Sequence, residues 1–589
     1  MDPIKVDFSR KGGSKNTIVV PPEKAALKIV LSIVCTVAFA AILFYFMMPA
    51  INIKAYEFYL YLGLTAIAYI IFSALFTRAI TKPEYMPYVK KQARVPAVII
   101  AILVLVVAIG FLVSCQFFRA QSYSQIISVE SYKADKFNEV VEEMGSSGAE
   151  GEVNLENLPK LDDVAANELA SRALGELENK GYVSQFKTSE TSYQVNFDKD
   201  PVRVVPLEYA DLIKWFYNTK EGLPGYVIVN VAGEDTTFVE TPEKIRYSPS
   251  EHFGRLLKRH LRFEYPTYMF GEANFDIDDN KKPYWVCPVL DKTIGLFGGT
   301  DVIGVVLVDA YTGECTELSL KDIKESGKYN WIDRIYSSDL LVEQFNFYGK
   351  YGEGFWNSIL GQKGVVATTE GHSYIAKSDD VWLYTGVTSV TSDNSIVGFV
   401  LVNQRTKETQ YYRVSGGTES AAQSAAEGRV KDLGYTATFP LLVNIGGKPT
   451  YFMSLKDGKN IVQQYAFINV ENYNKIGATG DDIYECLDKY ISALEDETGE
   501  EINVDIDNID DVVDEPAKET VTVMGAVEEI RTAVMGGESY YYIKVASVYY
   551  VIPASKDEKV VILNVGDTVT VSYVQAEGNI IAAESITIN

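Results

Sequence analysis

The chain has 589 residues, of which 47% are hydrophobic and 23% charged, and its formal net charge is −25. The first 118 residues carry a net charge of +7 and the remainder carries −32, so the acidity belongs to the second part of the chain. Such a surface makes nucleic acid a poor partner, because phosphate contacts require clustered Lys and Arg. Five cysteines are too few for a disulfide-stabilised scaffold.

Three apolar stretches come first, at residues 25–49, 58–77 and 95–118. At a rise of about 1.5 Å per residue, each is long enough to cross a hydrocarbon core of about 30 Å as a helix. Lys28 is the only residue among Lys, Arg, Asp and Glu that they contain, which argues against a path for ions or protons. We therefore predict a three-helix membrane anchor at residues 25–118, with the lipid bilayer as its partner.

The distribution of basic residues predicts the orientation of this anchor. Lys and Arg are concentrated before the first helix and between the second and third, at Lys5, Arg10, Lys11, Lys15, Lys24, Arg78, Lys82, Lys90, Lys91 and Arg94. The first loop contains only Lys54. Because basic segments stay in the cytoplasm, residues 1–24 are predicted to be a cytoplasmic tail and the large C-terminal region to be extracytoplasmic. The chain has no Asn-x-Ser/Thr acceptor, which favours a bacterial cell surface.

Residues 119–159 are predicted to connect the anchor to the folded region. Apolar residues recur on one face of residues 121–144, which indicates an amphipathic helix that serves as a stalk. Residues 145–157 are rich in Ser, Gly, Glu and Asn, which is typical of a flexible linker.

Beyond this linker, the sequence repeats a pattern of helix and strands. An Ala-rich helix predicted at residues 164–179 is followed by a Gly-Tyr pair at Gly181, and a second one, at residues 419–433, by the same pair at Gly434. In both copies a Phe follows the Tyr at the same offset. A Gly after the last turn supplies the left-handed conformation that ends a helix.

Strand patterns follow these helices. A hairpin whose second strand opens with Lys-Pro is predicted at residues 275–285 and again at 442–452. A β-branched strand followed by a polar turn recurs three times, at residues 225–230, 304–309 and 398–403. A helix at residues 250–261, capped by Ser248 or Ser250, would complete the middle copy. The sequence thus predicts an α+β fold with two or three tandem units, each a helix on an antiparallel sheet.

The order of helix, hairpin and the strand Val-Val-Leu-Val-Asp-Ala-Tyr-Thr-Gly-Glu at residues 305–314 resembles the PepSY family. This resemblance places PepSY-like α+β units at residues 160–325 and 396–494. It implies small extracytoplasmic domains that regulate or inhibit an envelope protease. The middle copy departs from the family pattern, because a Gly-rich insertion at residues 295–299 separates its hairpin from the last strand.

Residues 326–395 are predicted to be a connector of helical and strand segments between these units. Its first half is rich in aromatic residues, which are Tyr336, Phe345, Phe347, Tyr348, Tyr351, Phe355 and Trp356. Tyr and Trp are common at binding surfaces, but a helix packed between domains explains the same composition. We favour the packed helix, and we interpret Trp382 and Tyr384 on the following strand in the same way.

The C-terminal part is predicted to be a separate small barrel. Residues 495–519 contain 12 acidic residues and one Lys, which indicates a solvated linker. Residues 520–589 contain short β-rich runs separated by Gly turns, a pattern that predicts a five-stranded β-barrel similar to an OB fold or an SH3-like module. Few basic residues lie among its tyrosines, so a protein, peptide or glycan is a better partner than an oligonucleotide.

No catalytic, cofactor-binding or metal-ligating constellation is predicted. His252 and His260 lie eight residues apart on the predicted helix 250–261, whereas zinc ligation on a helix requires the i, i+4 spacing. Cys287 and Cys315 have no CxxC partner. These two thiols either form a bridge between neighbouring strands or, as we favour, remain free.

The same helix carries a cationic stripe. Its members are Arg255, Lys258, Arg259 and Arg262. On an acidic protein this stripe is either an anion site or, as we favour, a solvated face or a surface matched to neighbouring acidic units.

Three further sequence patterns resemble known functional motifs, but each lacks a feature that the motif requires. Ser184 and Lys187 have the Ser-x-x-Lys spacing, but on a predicted strand residues three apart point to opposite faces. The Gly-rich segment 295–299 lacks the Lys-Ser/Thr of a phosphate loop. The acidic segment 276–280 resembles the opening of a calcium loop, but Cys287 occupies the position of the bidentate carboxylate.

Together these features predict a membrane-anchored extracytoplasmic protein of the bacterial envelope that binds a protein, peptide or cell-wall ligand, without a cofactor and without catalysis. The alternative is a structural subunit of a homo-oligomer or of a multi-protein envelope assembly. A third hypothesis is a glycan hydrolase, which requires a pocket with two carboxylates about 5 to 10 Å apart, one of them with a raised pKa.

Overall fold

The computed structural model describes residues 20–133, 158–177, 180–197, 200–233, 235–377, 380–390, 395–499, 501–502, 520–535, 538–553, 558–574 and 580–588. The chain separates into two compact bodies, Met1–Val504 and Asp505–Asn589. Both helices and sheets are present, in agreement with the predicted α+β class.

Three helices are long and apolar enough to cross a membrane, which confirms the three predicted apolar helices. They are α1 (Ala25–Met47), α2 (Tyr56–Thr77) and, after the short α3 (Met86–Gln92), α4 (Arg94–Ser114). At most 17% of the residues in their most apolar windows are buried by the described part of the protein. Such exposed apolar surface is what lipid covers.

The predicted stalk helix is confirmed only up to Ser124 and is wrong for the described residues that follow it. The helix that follows the anchor, α5 (Gln116–Ser124), ends at Ser124, and residues Val129–Tyr132 form strand β1. Strand β1 pairs in parallel with residues 409–412, far along the chain. This long-range pairing satisfies the backbone groups that a helix would otherwise bond internally. Residues 134–144 and the predicted linker 145–157 lie outside the described residues.

The region from α6 to β22 contains four consecutive repeats with the same topology. In each, a helix precedes two short strands that both pair with a long third strand, and antiparallel fourth and fifth strands complete the sheet. Repeat A consists of α6 (Asp163–Gly175), β2 (Phe186–Thr188), β3 (Tyr193–Phe197), β4 (Asp200–Tyr209), β5 (Leu223–Asn230) and β6 (Thr236–Ile245), with α7 (Leu212–Asn218) inserted between β4 and β5. Repeat B consists of α8 (Leu257–Glu264), β7 (Met269–Phe270), β8 (Asn274–Ile277), β9 (Pro283–Ile294), β10 (Gly298–Asp309) and β11 (Cys315–Ser319).

The other two repeats follow a short helix, α9 (Leu320–Glu325). Repeat C consists of α10 (Ser338–Tyr351), β12 (Val366–Thr368), β13 (Ser373–Lys377), β14 (Asp380–Ser389), β15 (Ser395–Asn403) and β16 (Thr409–Tyr412), with β1 and β17 (Gly416–Gly417) added to its sheet. Repeat D consists of α11 (Glu419–Arg429), β18 (Thr436–Ala437), β19 (Leu441–Ile445), β20 (Lys448–Lys456), β21 (Val462–Asn469) and β22 (Gly477–Gly480), and α12 (Ile483–Thr498) follows it.

Both predicted hairpins are confirmed by the strand register. Phe275 pairs with Trp285, and Leu442 pairs with Tyr451. The number of repeats is larger than the predicted two or three. Strand β14, within the predicted connector 326–395, pairs with β15 of the predicted unit 396–494, so the boundary at residue 395 falls inside one sheet.

Each fourth strand ends in the same polar turn. The last residue of the strand is Asn or Asp, and its side-chain oxygen accepts backbone N–H groups two or three residues further along the chain. These residues are Asn230, Asp309, Asn403 and Asn469. Such Asx turns replace lost strand bonds with local side-chain bonds. The fourth instance marks repeat D, which the three predicted closing strands did not include.

The sheet of repeat B is the central layer of the stack. Trp285 and Cys287 pack with residues of repeat A, whereas Val286 and Leu307 pack with residues of repeat C. Alternate residues of the same strands therefore face two different cores. This burial on both faces explains the continuous apolar run at residues 305–308.

Helix α8 begins later than predicted. It starts at Leu257, and neither Ser248 nor Ser250 caps it. A separate 3-10 turn covers Phe253–Arg255, and the non-helical ψ of 114° at Leu256 separates it from α8. His252 therefore precedes the helix and His260 lies within it.

Two arginines of the cationic stripe cap a helix of the anchor. Arg259 Nε donates to the Tyr45 carbonyl at 3.3 Å, and Arg262 Nε donates to the Met48 carbonyl at 3.1 Å. These carbonyls lie at the C-terminal end of α1, where a helix has unsatisfied acceptors and a negative dipole end. The predicted solvated face is wrong for these two residues, because both side chains are buried.

The Gly-rich segment 295–299 forms the turn between β9 and β10 and the first two residues of β10, and it contacts the anchor. Ser114 Oγ, at the end of α4, accepts the N–H groups of Leu296 and Phe297 at 2.9 Å each. A Cβ on Gly110 would lie 2.3 Å from the Phe297 ring, so the close approach requires Gly there. We use the name exit end for the end of the anchor at which α1 and α4 terminate and α2 begins.

The second body is a closed five-stranded barrel. Its strands are β23 (Thr520–Met535), β24 (Glu538–Val545), β25 (Val548–Pro553), β26 (Thr568–Val574) and β27 (Ile580–Ile588). All pairs are antiparallel except β25 with β27. Of the predicted acidic linker, α12 covers the start, and residues 503–519 lie outside the described residues.

Candidate functional site

A cavity of about 570 Å³ lies where the four repeats meet. In every repeat, the loop between the first and second short strands contributes to its wall. These loops supply Glu190, Thr191 and Ser192 in repeat A, Glu272 and Ala273 in repeat B, Gly371 and His372 in repeat C, and Thr438 and Phe439 in repeat D. The fold thus brings four topologically equivalent loops to one place, although they are far apart in sequence.

Arg203 on β4 is a buried cation in the wall of this cavity. Its side chain is 7% exposed, and one terminal nitrogen donates to Ser192 Oγ at 2.9 Å. Its Nε has no hydrogen-bond partner among the described residues, and neither does the amide nitrogen of Gln194 on the paired strand. Burial lowers the pKa of Arg203, because removal from water disfavours its charged form more than the nearby carboxylates of Asp163 and Asp162 favour it. Arg nonetheless remains protonated in proteins.

A second arginine lies close by, in the segment that leads into α10 of repeat C. Arg334 donates to the Tyr374 hydroxyl at 3.2 Å, and its guanidinium lies 4.8 Å from the centroid of that ring. The guanidinium of Arg203 lies 6.0 Å from the same centroid. Like Arg203, Arg334 has an Nε without a partner in the described part of the chain. Tyr374 therefore holds two guanidinium groups around one ring.

His372 completes this cluster. Its Nε2 lies 3.2 Å from the Tyr374 hydroxyl. Burial lowers the pKa of His372, because desolvation outweighs the attraction of more distant carboxylates. The imidazole is therefore neutral near pH 7, and the positive charge of the cluster comes from the two arginines.

Carboxylates line other parts of the cavity. Asp162 and Asp163 stand at the start of α6, and Glu190 and Glu272 occupy the equivalent loops of repeats A and B. Asp162 already has partners, since it accepts from the Ala165 N–H and forms a salt bridge with Lys456. Within the described residues, none of these carboxylates forms a salt bridge with Arg203 or Arg334. The cavity therefore has a cationic centre and an acidic rim.

Two carboxyl groups are buried beside the cavity. Asp276 accepts the N–H of Asp333 at 3.2 Å, and Asp333 accepts the N–H of Asn196 at 2.5 Å. Burial raises the pKa of Asp276 to about 7 and that of Asp333 well above its ordinary value. Each side chain is 1% exposed and neither lines the cavity, so this pair is inaccessible to a glycan. The pair connects repeats A and B to the segment that leads into repeat C through these hydrogen bonds.

This pair predicts a dependence of stability on pH. The folded pKa values lie above the unfolded value of about 3.9, so the folded state binds more protons. Its contribution to the free energy of unfolding is therefore largest below about pH 4 and is lost as the pH rises through about 7. Asp276→Asn should flatten the decrease in Tm between pH 5 and pH 8, measured by thermal unfolding of the detergent-solubilised protein.

The matched control for this measurement is Asp457→Asn. Backbone N–H groups lower the pKa of this exposed carboxyl, so it stays ionised throughout the range and the substitution should leave the pH slope unchanged. An unaltered slope in Asp276→Asn would show that Asp276 does not titrate in this range.

Comparison with known proteins adds no family to these observations. No protein-family model matches this chain, and no curated protein is similar to it. The function is therefore inferred from the cavity and from the membrane anchor.

The residues weighed for chemistry in the sequence do not come together in one site. His260 Nε2 lies 2.7 Å from the Gly313 carbonyl and 3.5 Å from Cys315 Sγ, whereas the ring of His252 packs on Trp215. Among the described residues, no three His, Cys, Asp or Glu side chains form a group that could hold a metal ion.

Cys287 and Cys315 are free thiols and do not lie on neighbouring strands. Strand β10 separates β9 from β11, and the two cysteines pair with Val306 and Val308 of that strand. The favoured interpretation as free thiols agrees with this arrangement.

Two other motifs have ordinary structural partners. Ser184 Oγ donates to the Gly181 carbonyl, and Lys187 forms a salt bridge with Glu208. In the segment 276–280, Asp278 accepts two N–H groups of its own turn.

The sequence contained a signal for the cavity that the motif search did not use. A short pattern recurs after the first short strand of three repeats. It consists of Glu, one or two other residues, Ser or Asn, and an aromatic residue, which is Tyr193, Phe275 or Tyr374. Alignment of the repeats on this pattern would have located the loops. The arginines carry no such signal, because only the folding of repeat A against repeat C brings Arg203 and Arg334 to the same ring.

Proposed function

We propose that this protein is a membrane-anchored extracytoplasmic binding protein of the bacterial envelope, without catalytic activity, whose ligand enters the cavity between the four repeats. The observation that carries this proposal is the pair of arginines around Tyr374. A buried charge without a counter-ion destabilises a fold by several kcal/mol. Arg203 is buried and Arg334 is partly buried, and neither forms a salt bridge among the described residues. Two such cations in one cavity are expected to be kept for an anionic group of a ligand.

The ligand that fits best is a short peptide with a free carboxylate. Two guanidinium groups suit a carboxylate, because their N–H groups donate to both of its oxygens. The acidic rim at Asp163, Glu190 and Glu272 suits amide N–H groups and an ammonium group of the same molecule. The volume of about 570 Å³ falls within the range of about 300–1,000 Å³ that is usual for ligand pockets.

The finer features of the fold support a regulatory role within this proposal. Four helix-on-sheet repeats extend the PepSY-like pattern, and that resemblance suggests the regulation or inhibition of an envelope protease. We assign the C-terminal barrel to the OB or SH3-like class and propose that it offers a further surface for a protein, peptide or glycan. The orientation follows from the basic residues of the first 94 positions. Protease added to intact cells should therefore remove the C-terminal region and spare residues 1–24.

Native mass spectrometry of the detergent-solubilised full-length protein tests the binding function. The probe is a mixture of tetrapeptides with free C-terminal carboxylates, and its matched control is the same mixture with C-terminal amides. We expect adducts with the peptides that have free carboxylates and few adducts with the C-terminal amides. Equal binding of both mixtures, or of neither, would contradict it. A large defined oligomer that binds neither mixture would instead favour the alternative of an assembly subunit.

A further inference from the structure

Helix α7 exposes an apolar face that its own repeat does not cover. Leu212, Ile213, Phe216 and Tyr217 lie at positions i, i+1, i+4 and i+5, which share one side of a helix. These four side chains are between 63% and 79% exposed, whereas Trp215 on the opposite side is buried. Soluble surfaces rarely carry so many large apolar side chains on two turns of helix, and such clusters mark interaction sites.

Contacts place this helix beside the exit end of the anchor. Arg255 donates to the Thr219 carbonyl just after α7, and Trp215 packs on Phe253 with their ring centroids 5.7 Å apart. The Phe253 carbonyl in turn accepts from Arg259, whose guanidinium lies 4.1 Å from the ring centroid of Tyr45. Tyr45 belongs to the last turn of α1. A short chain of contacts thus connects α7 to the end of a membrane-spanning helix.

A second exposed patch lies at the end of α4. Trp356 and Leu360 are 63% and 77% exposed, and Ile359 lies beside them on the irregular helical turn Asn357–Gly361. The Trp356 ring lies 5.7 Å from the ring of Phe117, which follows α4 by three residues. Helices α1 and α4 run in the same direction through the anchor, so their C-terminal ends lie on the same side of a membrane.

We propose that α7 and the turn at residues 356–360 insert into the interfacial region of the bilayer that the anchor crosses, so that lipid covers both patches. Continuity with the anchor supports lipid as the occupant, because both patches adjoin the level at which its spanning helices end. Trp and Tyr are favoured at that level, and amphipathic segments bury their apolar faces about 5–10 Å into the boundary between headgroups and acyl chains. Lys214 and Lys220 flank the α7 face, where they suit anionic headgroups.

This lipid contact would hold the repeats against the membrane surface. The turn at residues 295–299 fixes repeat B to the anchor itself, and α7 and residues 356–360 would support repeats A and C on either side. The inference depends on the membrane anchor and does not depend on what the cavity binds.

Tryptophan quenching in vesicles tests this inference with the full-length protein. The protein is reconstituted into phosphatidylcholine and phosphatidylglycerol vesicles, with or without bromine on the acyl chains near the headgroup. Trp356→Phe should remove much of the emission that brominated lipid quenches, because the other four tryptophans are more buried. In that background, Phe216→Trp should restore quenching.

Leu433→Trp in the same background is the matched control. Leu433 is 53% exposed and belongs to repeat D, so a tryptophan there should emit without quenching. Equal emission at residue 216 in brominated and unbrominated vesicles would overturn the inference, whether a protein partner, a second copy or water covers that face. Equal quenching at residues 216 and 433 would also overturn it, because the effect would not be specific to the patch.

Discussion

Arg203→Met should weaken the binding of a carboxylate-bearing peptide by about 2–5 kcal/mol, which is roughly 30-fold to several-thousand-fold in Kd. The reason is that the guanidinium is buried, donates one bond to Ser192 and has an Nε–H free for a ligand within the described structure. Met fills a similar volume, so packing changes little. Arg334→Met should have an effect of the same kind, because its guanidinium lies against the same Tyr374 ring.

The same substitution should raise the stability of the ligand-free protein. A buried cation that forms no salt bridge disfavours folding, so its replacement by an apolar side chain should increase Tm. This combination of a higher Tm and weaker binding distinguishes a ligand site from a structural role. Isothermal titration measures the affinity and thermal unfolding measures the stability.

Arg172→Met is the control for both measurements. Arg172 is an exposed residue of α6 that forms an i, i+4 pair with Glu168, outside the cavity wall. It should leave both quantities almost unchanged. If Arg203→Met lowers Tm and leaves peptide affinity intact, Arg203 is a structural residue and the proposed binding site is incorrect.

Trp285→Ala should destabilise the contact between repeats A and B by about 3–5 kcal/mol. Trp285 is 1% exposed, its indole N–H donates to the Tyr247 carbonyl at 2.9 Å, and its ring lies 4.9 Å from the ring of Phe275. The substitution leaves a cavity in the core of repeats A and B and an unsatisfied carbonyl.

Val286→Ala provides a comparison on the opposite face of the same strand. Val286 packs in the core shared with repeat C, so its truncation should loosen repeat C and spare repeat A. Hydrogen exchange followed by mass spectrometry separates the two cases. Trp285→Ala should increase exchange in β4 and β5, and Val286→Ala should increase it in β14 and β15. The same pattern of exchange in both variants would mean that the sheet of repeat B does not separate two cores.

Local sequence patterns were sufficient for the three apolar helices and for two hairpins of this fold. The apolar stretches predicted three helices that are long and apolar enough to cross a membrane, because lipid contact requires apolar side chains over a whole span. The Lys-Pro strand openings predicted hairpins whose register the structure confirms, since a hairpin depends mainly on its own turn and its own alternation. Long-range effects were missed, as when β1 pairs with β16 in place of the predicted stalk helix.

The sequence by itself determined the apolar anchor and the strand pairs, because these depend on residues that are close together along the chain. It also determined the concentration of acidic residues after the anchor. Only the tertiary structure decided that four equivalent loops surround one cavity and that Arg203 and Arg334 share the ring of Tyr374. It likewise decided that Arg259 is buried and caps one of the three apolar helices. The physical reason is that burial and charge pairing depend on which surfaces meet, and no local pattern specifies the neighbours of an arginine from a distant repeat.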